Sequence, residues 1–509
     1  MKRYIYTIIF SLLLVSSCNL DRTPRGTIGS GNGIESVSDV TNFDNMLYIR
    51  LRGLYAGDFI YNNEITTDLF DPSIDYSNRG GTYYKWEWST QDAYATNLWA
   101  HCYYTNALCN YILEGINKLE SASDVSDSDK AILAVYKGDA YFMRAISMFV
   151  LTKRFAPVYN PSTASSDLGV MIQETYIPTS DQSKYPARSS MEATYKFIND
   201  NLDSAETLLA GQTGNVASTT FTIDVVKALR SRVYLNMQDY DNAIKYSTEL
   251  VDAGNYPLIS DLTDFNKLWT NDSGNECIMQ LWADYTSSSL PASCDYRYLG
   301  DTSDGLYTPD WIPAQWVIDL YSSTDIRYKC WFVSKDLTYT NNVKGSAFLL
   351  NKFPGNPELQ SPTQTYSSHI NKIKPFRIAE QYLIAAEAYA RKGGNDAAAI
   401  KYLKDLNTKR DPSYNISDNL SGEALLNEVK TSRLKELIGE GFRFTDLKRW
   451  GDGFTRTKAQ DESIIASPAT DLTISSDNFR FLLPIPQDEI DANPQIKNQQ
   501  NPGYQNVEE

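Results

Sequence analysis

The stretch AEQYLIAAEAYARKGGNDAAAIKYLKDLN, residues 379 to 407, decides the fold. Its apolar and small residues recur every three or four positions, the period of a helix with one buried face. The run KGGND interrupts that period and it then resumes, so the segment reads as helix, short break, helix. A second segment, VVKALRSRVYLNMQDYDNAIKYSTELV at 225 to 251, has the same layout. Each second helix contains AIKY, at 399 to 402 and at 243 to 246, with Tyr389 ten residues and Tyr234 nine residues ahead of it. Small residues at such positions let paired helices approach closely, as in tetratricopeptide-type hairpins.

A repeat of this kind needs stacked neighbours to bury its faces. YKGDAYFMRAISMFVLTKRF (136 to 155) and SSMEATYKFINDNLDSAETLL (189 to 209) can supply them. The latter opens with Ser189 and Glu192 at capping-box spacing, and Tyr195, Ile198, Leu202, Ala205 and Leu208 form its apolar stripe. The expected fold is mainly α: tetratricopeptide-like helix pairs forming a superhelical scaffold over about 98–254 and 376–450. Long aromatic-rich loop insertions at about 55–97 and 255–375 carry a few short strands, ECIMQLW among them, and loops of this length on a helical scaffold are usually functional. Residues 41–509 read as one composite domain.

The chain ahead of that domain reads as an export address. MKRYIYTIIFSLLLVSSC has Lys2 and Arg3, an apolar run too short to span a membrane as a helix, then small residues before Cys18. Val15-Ser16-Ser17-Cys18 looks like a lipobox, so residues 1–17 are expected to be removed and Cys18 to carry lipid. Residues 18–40 then form a polar, glycine-rich tether.

Composition narrows the partners. A formal charge of -16 disfavours nucleic acid and anionic membrane surfaces, and 42% hydrophobic residues suffice for a real core. Of the remaining cysteines, Cys102 and Cys109 lie on one helical pattern about 10 Å apart, too far for a bridge. With no CxxC and two histidines there is no zinc-ligand pattern, and no cofactor is expected. GxSxG, HExxH and GxxxxGK[ST] do not occur. A carboxylate pair for glycoside hydrolysis is neither supported nor excluded among 63 acidic residues.

The aromatic clusters say more. GTYYKWEWSTQDAYATNLWAHCYY (81 to 104) holds eight Tyr or Trp residues. Extended, KWEWS points Trp86 and Trp88 the same way about 6.5 Å apart, a spacing at which flat rings stack on neighbouring sugar rings. Asp71, Arg79 and Gln91 flank the pair and offer hydrogen bonds. The two tryptophans can equally be core. Trp99 and Tyr103, an i, i+4 pair, read as a buried helix face. A second cluster, DYRYLGDTSDGLYTPDWIPAQW (295 to 316), adds Tyr296 and Trp311 as candidates in a turn-rich setting.

GEGFRFTDLKRWG (439 to 451) concentrates charge among aromatics. As a continuing helix it places Glu440 with Arg443, and Asp446 with Arg449, at i, i+3. That spacing suits bracing ion pairs, with Phe442, Phe444 and Trp450 as anchors and Gly441 admitting a close neighbour.

These residues carry a resemblance. RLKELIGEGFRFTDLKRWG (433 to 451), KPFRIAEQYLIAAEAYARKGG (374 to 394), LLPIPQDEIDANPQIKNQQNPGY (482 to 504) and MRAISMFVLTKRFAPV (143 to 158), with the lipobox, resemble the SusD/RagB family over nearly the whole mature chain. The resemblance implies a non-enzymatic, lipid-anchored outer-membrane protein of Bacteroidetes type, facing the cell exterior. Such a protein binds oligosaccharides, polysaccharides or other nutrients and sits as a lid on a SusC-like TonB-dependent transporter. In the starch-binding type, two tryptophans at i, i+2 with nearby Asp, Arg and Asn line the ligand site. Trp86, Trp88, Asp71 and Arg79 match that pattern, and Gln91 stands where Asn is expected. Two further readings stay open: a surface-anchored glycoside hydrolase, and a helical-repeat scaffold without a glycan site.

Overall fold

The computed structural model describes residues 33–122, 125–283, 296–302, 305–363, 367, 369–466 and 472–504. The export segment, Cys18, the first part of the tether and Cys294 lie outside them. α1 (Val37–Leu54) and α2 (Asp58–Ile65) precede two long helices, α3 (Ala93–Glu120) and α4 (Asp127–Phe155). α5 (Met191–Leu208), α6 (Ile223–Asn236) and α7 (Tyr240–Asp252) follow. α8 (Ile378–Lys392), α9 (Asp396–Arg410), α10 (Gly422–Leu437) and α11 (Arg443–Trp450) complete the scaffold.

Short polar side chains set the helix starts by accepting an otherwise unpaired backbone N–H. Ser36 caps α1, Asp92 caps α3, Ser126 caps α4 and Asp239 caps α7. The tether expected to run to residue 40 therefore gives way to helix at Val37. On α5 the cap is Ser190, which accepts from Ala193 N–H, one residue beyond the expected Ser189. Tyr195, Ile198, Leu202 and Ala205 of the expected stripe are buried, whereas Leu208 at the frayed end is only partly so.

The two repeat segments fold alike. α6 and α7 form one hairpin, α8 and α9 the next, and α7 packs on α8 between them. Ala243 and Ala399, the first residues of the two AIKY strings, are fully buried. Tyr234 stacks on Tyr246 at 5.7 Å and 7°, and Tyr389 stacks on Tyr402 at 5.9 Å and 11°. The same side chains thus make the same contact in both units. α3, α4 and α5 continue the stack toward the N-terminus, and α1 lies across α3 and α4. Cys102 and Cys109 are buried and unbridged on α3, and Trp99 is core. Short antiparallel strand pairs interrupt the loop regions, among them Cys277–Met279 with Phe376–Arg377.

α1 is held to α4 by a polar contact inside the core. Asp44 and Asp139 are both buried, and Tyr48 donates its hydroxyl to Asp139 at 2.8 Å. Burial, and for Asp44 the charge of Asp139, push the two carboxyls up, to about 9 for Asp44 and about 7 for Asp139. Because the folded pKa values exceed the unfolded ones, this contact stabilises fully below the ordinary carboxyl range. Its contribution is lost as pH rises through about 7 to 9. Asp44→Asn is expected to remove part of that loss. Thermal unfolding from about pH 5 to about pH 9 should show the variant falling less steeply than the parent chain, with a gain of roughly 1–3 kcal/mol at the alkaline end. Parallel curves would show that the pair does not titrate.

Candidate functional site

The two aromatic loop regions meet. β1 (Phe70–Pro72) pairs antiparallel with β2 (Trp311–Pro313), in the register Phe70 to Pro313, Asp71 to Ile312 and Pro72 to Trp311. Ser73 N–H extends the ladder to Asp310 O at 2.8 Å. Beyond β1 the chain turns sharply at Ser77, Asn78 and Gly80, all with positive φ, a conformation that Asn and Gly tolerate best. The turn delivers Arg79 onto Asp310, where the guanidinium makes two hydrogen bonds to the carboxylate, Nε to Oδ2 at 2.7 Å and Nη2 to Oδ1. Half of the Arg79 side chain remains exposed against 8% for Asp310, so the arginine is clamped at the surface by a charge-assisted pair.

Around this clamp lie groups suited to a hydroxylated ligand. Tyr76 stands edge-on to Trp311 at 5.6 Å and donates to Asn78 Oδ1 at 3.1 Å. Asp75 accepts from both the N–H and the hydroxyl of Thr340, at 2.7 and 2.8 Å, tying in the hairpin of β3 (Phe332–Thr338) and β4 (Lys344–Leu350). From β3, Lys335 places its ammonium 4.3 Å from the ring centre of Tyr307. Arg456 fastens the loop from beneath, donating to Thr67 O at 3.0 Å and to Tyr84 O at 2.5 Å, with its guanidinium 3.6 Å above the Tyr84 ring. Tyr76, Asn78, Asp310, Tyr307 and Lys335 were not among the residues expected from sequence. The Asn-Arg-Gly-Gly run at 78–81 was the available turn signal.

The expected ring platform is corrected. Trp86 and Trp88 are 3% and 2% exposed. KWEWS is not extended: Trp86 has φ +58 and turns both indoles inward. Their centroids lie 5.2 Å apart at 41°, and Trp86 packs on Phe444, Phe454 and Phe481 while donating Nε1–H to Thr66 O at 2.7 Å. Trp311 is fully buried among Tyr61, Tyr76 and Tyr84. Asp71 is buried too, accepts from Tyr84 at 3.3 Å, and is pushed up to about 6 by burial. Trp311 and Asp71, on the paired strands, lie beneath the surface, whereas Trp86 and Trp88 belong to the main helical core. Arg79 and Gln91 are exposed, and Tyr296 belongs to a short helix, Tyr296–Leu299, that borders β2.

The charged motif at 439–451 is a brace. Gly439 and Gly441 both adopt φ +79 and break the helix expected there, so α11 starts only at Arg443. Glu440 consequently pairs with Lys352 at 2.7 Å and with Arg377, not with Arg443. Arg443 reaches Asp68 at 2.9 Å, while Asp446 and Arg449 do pair, at 3.1 Å. Arg449 and the Trp450 indole N–H both bond Glu387 of α8, and Arg433 of α10 holds Asp446 at 2.6 Å. Gly441 accommodates α2, since a Cβ there would lie 2.8 Å from Ile60 Cδ1.

The description "SusD family" matches residues 286–504, and "Starch-binding associating with outer membrane" matches residues 34–235. Among curated proteins no match is found. Among solved structures, a SusD superfamily protein from Bacteroides thetaiotaomicron is 27% identical, with a TM-score of 0.75 covering 92% of this chain and 100% of that one. A SusD-like carbohydrate binding protein from Bacteroides vulgatus shares the fold at 20% identity and TM-score 0.71, over 90% and 97% of the two chains. Surface glycan-binding protein A from Bacteroides fluxus does so at 17% and 0.65, over 92% and 100%. With two such family matches, over residues 34–235 and 286–504, the chain belongs to the SusD/RagB family.

Proposed function

We propose that the protein binds oligosaccharides or polysaccharides at the cell surface without cleaving them. It hands them to a SusC-like TonB-dependent transporter on which it sits. Lipid on Cys18 anchors it to the outer membrane, facing outward; among the described residues no helix is long and apolar enough to cross a membrane. The observation that carries the binding reading is the joint face of the two loop regions. There Arg79 is fixed on Asp310 with half of its side chain exposed, on the same paired loops as the half-buried rings of Tyr76 and Tyr307. Ring faces meet sugar C–H groups while fixed polar edges meet hydroxyls. The names of two structural relatives, a carbohydrate binding and a glycan-binding protein, agree with this reading. Gln91 and Tyr296 remain ligand candidates, while Trp311 and Asp71 support the surface from below and Trp86 and Trp88 lie in the core.

A glycan array on the mature chain, followed by calorimetric titration of the best ligand, tests the proposal. Arg79→Ala and Tyr76→Ala are each expected to weaken binding by roughly ten-fold, as for loss of one charged hydrogen bond or one ring contact. Unchanged affinity in both variants would move the site elsewhere. Release of shortened products from the bound glycan would instead establish a hydrolase.

A further inference from the structure

Behind the brace lies a small cavity bounded by Glu64 of α2, Arg433 and Leu437 of α10, Phe442, and Asp446 and Trp450 of α11. Glu64 is fully buried and Arg433 is 3% exposed. One oxygen of Glu64, Oε1, accepts from Gly441 N–H at 2.5 Å, and Arg433 Nε donates to Asp446 Oδ2 at 2.6 Å. Among the described residues, Glu64 Oε2 and Arg433 Nη1 have no hydrogen-bond partner. A residue with an unsatisfied buried acceptor and one with an unsatisfied buried donor therefore line the same cavity. Native proteins almost always supply such buried groups with a partner.

Size and charge define that partner. The cavity has about 10 Å³ open to the centre of a water molecule, room for on the order of one water and far too little for a sugar ring. Among the lining charges Asp446 is paired with Arg433 and Arg443 with Asp68, and burial pushes the remaining carboxyl, Glu64, up to about 7 toward its neutral form. Such a balanced lining selects neither a cation nor an anion. A neutral molecule that both donates and accepts is required.

We propose that this cavity is a binding site for one ordered water, which accepts from Arg433 Nη1 and bonds Glu64 Oε2, and so bridges α2 to α10. Either protonation state of the carboxyl leaves the water one bond to make, as donor to the charged form or acceptor from the neutral one. The bridge ties the helix leading into β1 to α10 of the scaffold. It is independent of which glycan the outer face recognises.

A high-resolution crystal structure of the ligand-free mature chain is expected to show a single water within hydrogen-bonding distance of both atoms. In Glu64→Gln, whose amide still offers polar atoms, the water should remain. Glu64→Leu should lose it, and water-oxygen relaxation dispersion should then count one fewer long-lived internal water. A cavity without ordered density, or with both atoms turned onto protein partners, overturns the proposal. So does a water that persists unchanged in Glu64→Leu. Should that variant fail to fold, the parent and Glu64→Gln structures decide the question.

Discussion

Replacing Glu436 with alanine is expected to lower folding stability by about 3–5 kcal/mol, the usual cost of stranding buried charges. Glu436 of α10 lies at the centre of a buried ionic cluster that draws in Arg410 of α9, Arg377 at the start of α8 and Arg327 of the short helix Ile326–Trp331. Its carboxylate accepts from Arg410 at 3.0 and 3.1 Å, from Arg377 at 2.8 Å and from Arg327 at 3.3 Å. All three arginines are buried, and Trp269 and Phe265 cover Arg377 and Arg410 at 5.0 and 4.6 Å. Burial alone would raise the Glu436 carboxyl, but Arg410, Arg377 and Arg327 outweigh it and hold it well below the ordinary range. A depressed carboxyl stabilises above its unfolded pKa, near 4.5, and that contribution is lost as pH falls below it. Denaturant unfolding at neutral pH should show the full deficit of Glu436→Ala, shrinking in acid. Glu436→Gln, which keeps hydrogen-bonding atoms, should lose less. A deficit under about 1 kcal/mol at neutral pH would mean that the cluster contributes no more than a surface pair.

Trp86→Ala is expected to cost a further large amount, about 3–5 kcal/mol, because it removes an indole from a packed aromatic core. The ring contacts with Trp88, Phe444, Phe454 and Phe481 go, and Thr66 O keeps only one of its two donors, Arg456 Nη2 at 3.2 Å. This outcome separates core from surface. A core role predicts a much lower melting temperature with glycan affinity retained by the molecules that stay folded. A stable variant that no longer binds would return Trp86 to the ligand site.

How far the fold could be read in advance follows the physics of each segment. α6 to α9 were legible because a 3.6-residue period, a short break and a repeated AIKY all agree. The start of α1 was hidden. Ser38 and Asp39 make its first turn polar enough to pass for tether, and only the Ser36 cap marks where the helix begins. The identity of the aromatic regions was clear, but not which rings face solvent. Alternation in KWEWS predicts a strand, whereas the left-handed φ at Trp86 depends on packing that no local pattern encodes. In GEGF the information was present. Two glycines flanking one residue signal a turn, and that turn sends Glu440 to Lys352 and Arg377 instead of to Arg443.

The Arg79–Asp310 clamp joins residues 231 positions apart. Helix hairpins form from near neighbours and so assemble early, whereas a contact of this separation must wait until the intervening chain has closed its own loops. The proposed ligand face is therefore a late product of folding, completed only on a scaffold already in place. A chain that stalls part-way keeps its helices and lacks its recognition surface, so glycan capture doubles as a check that folding has finished.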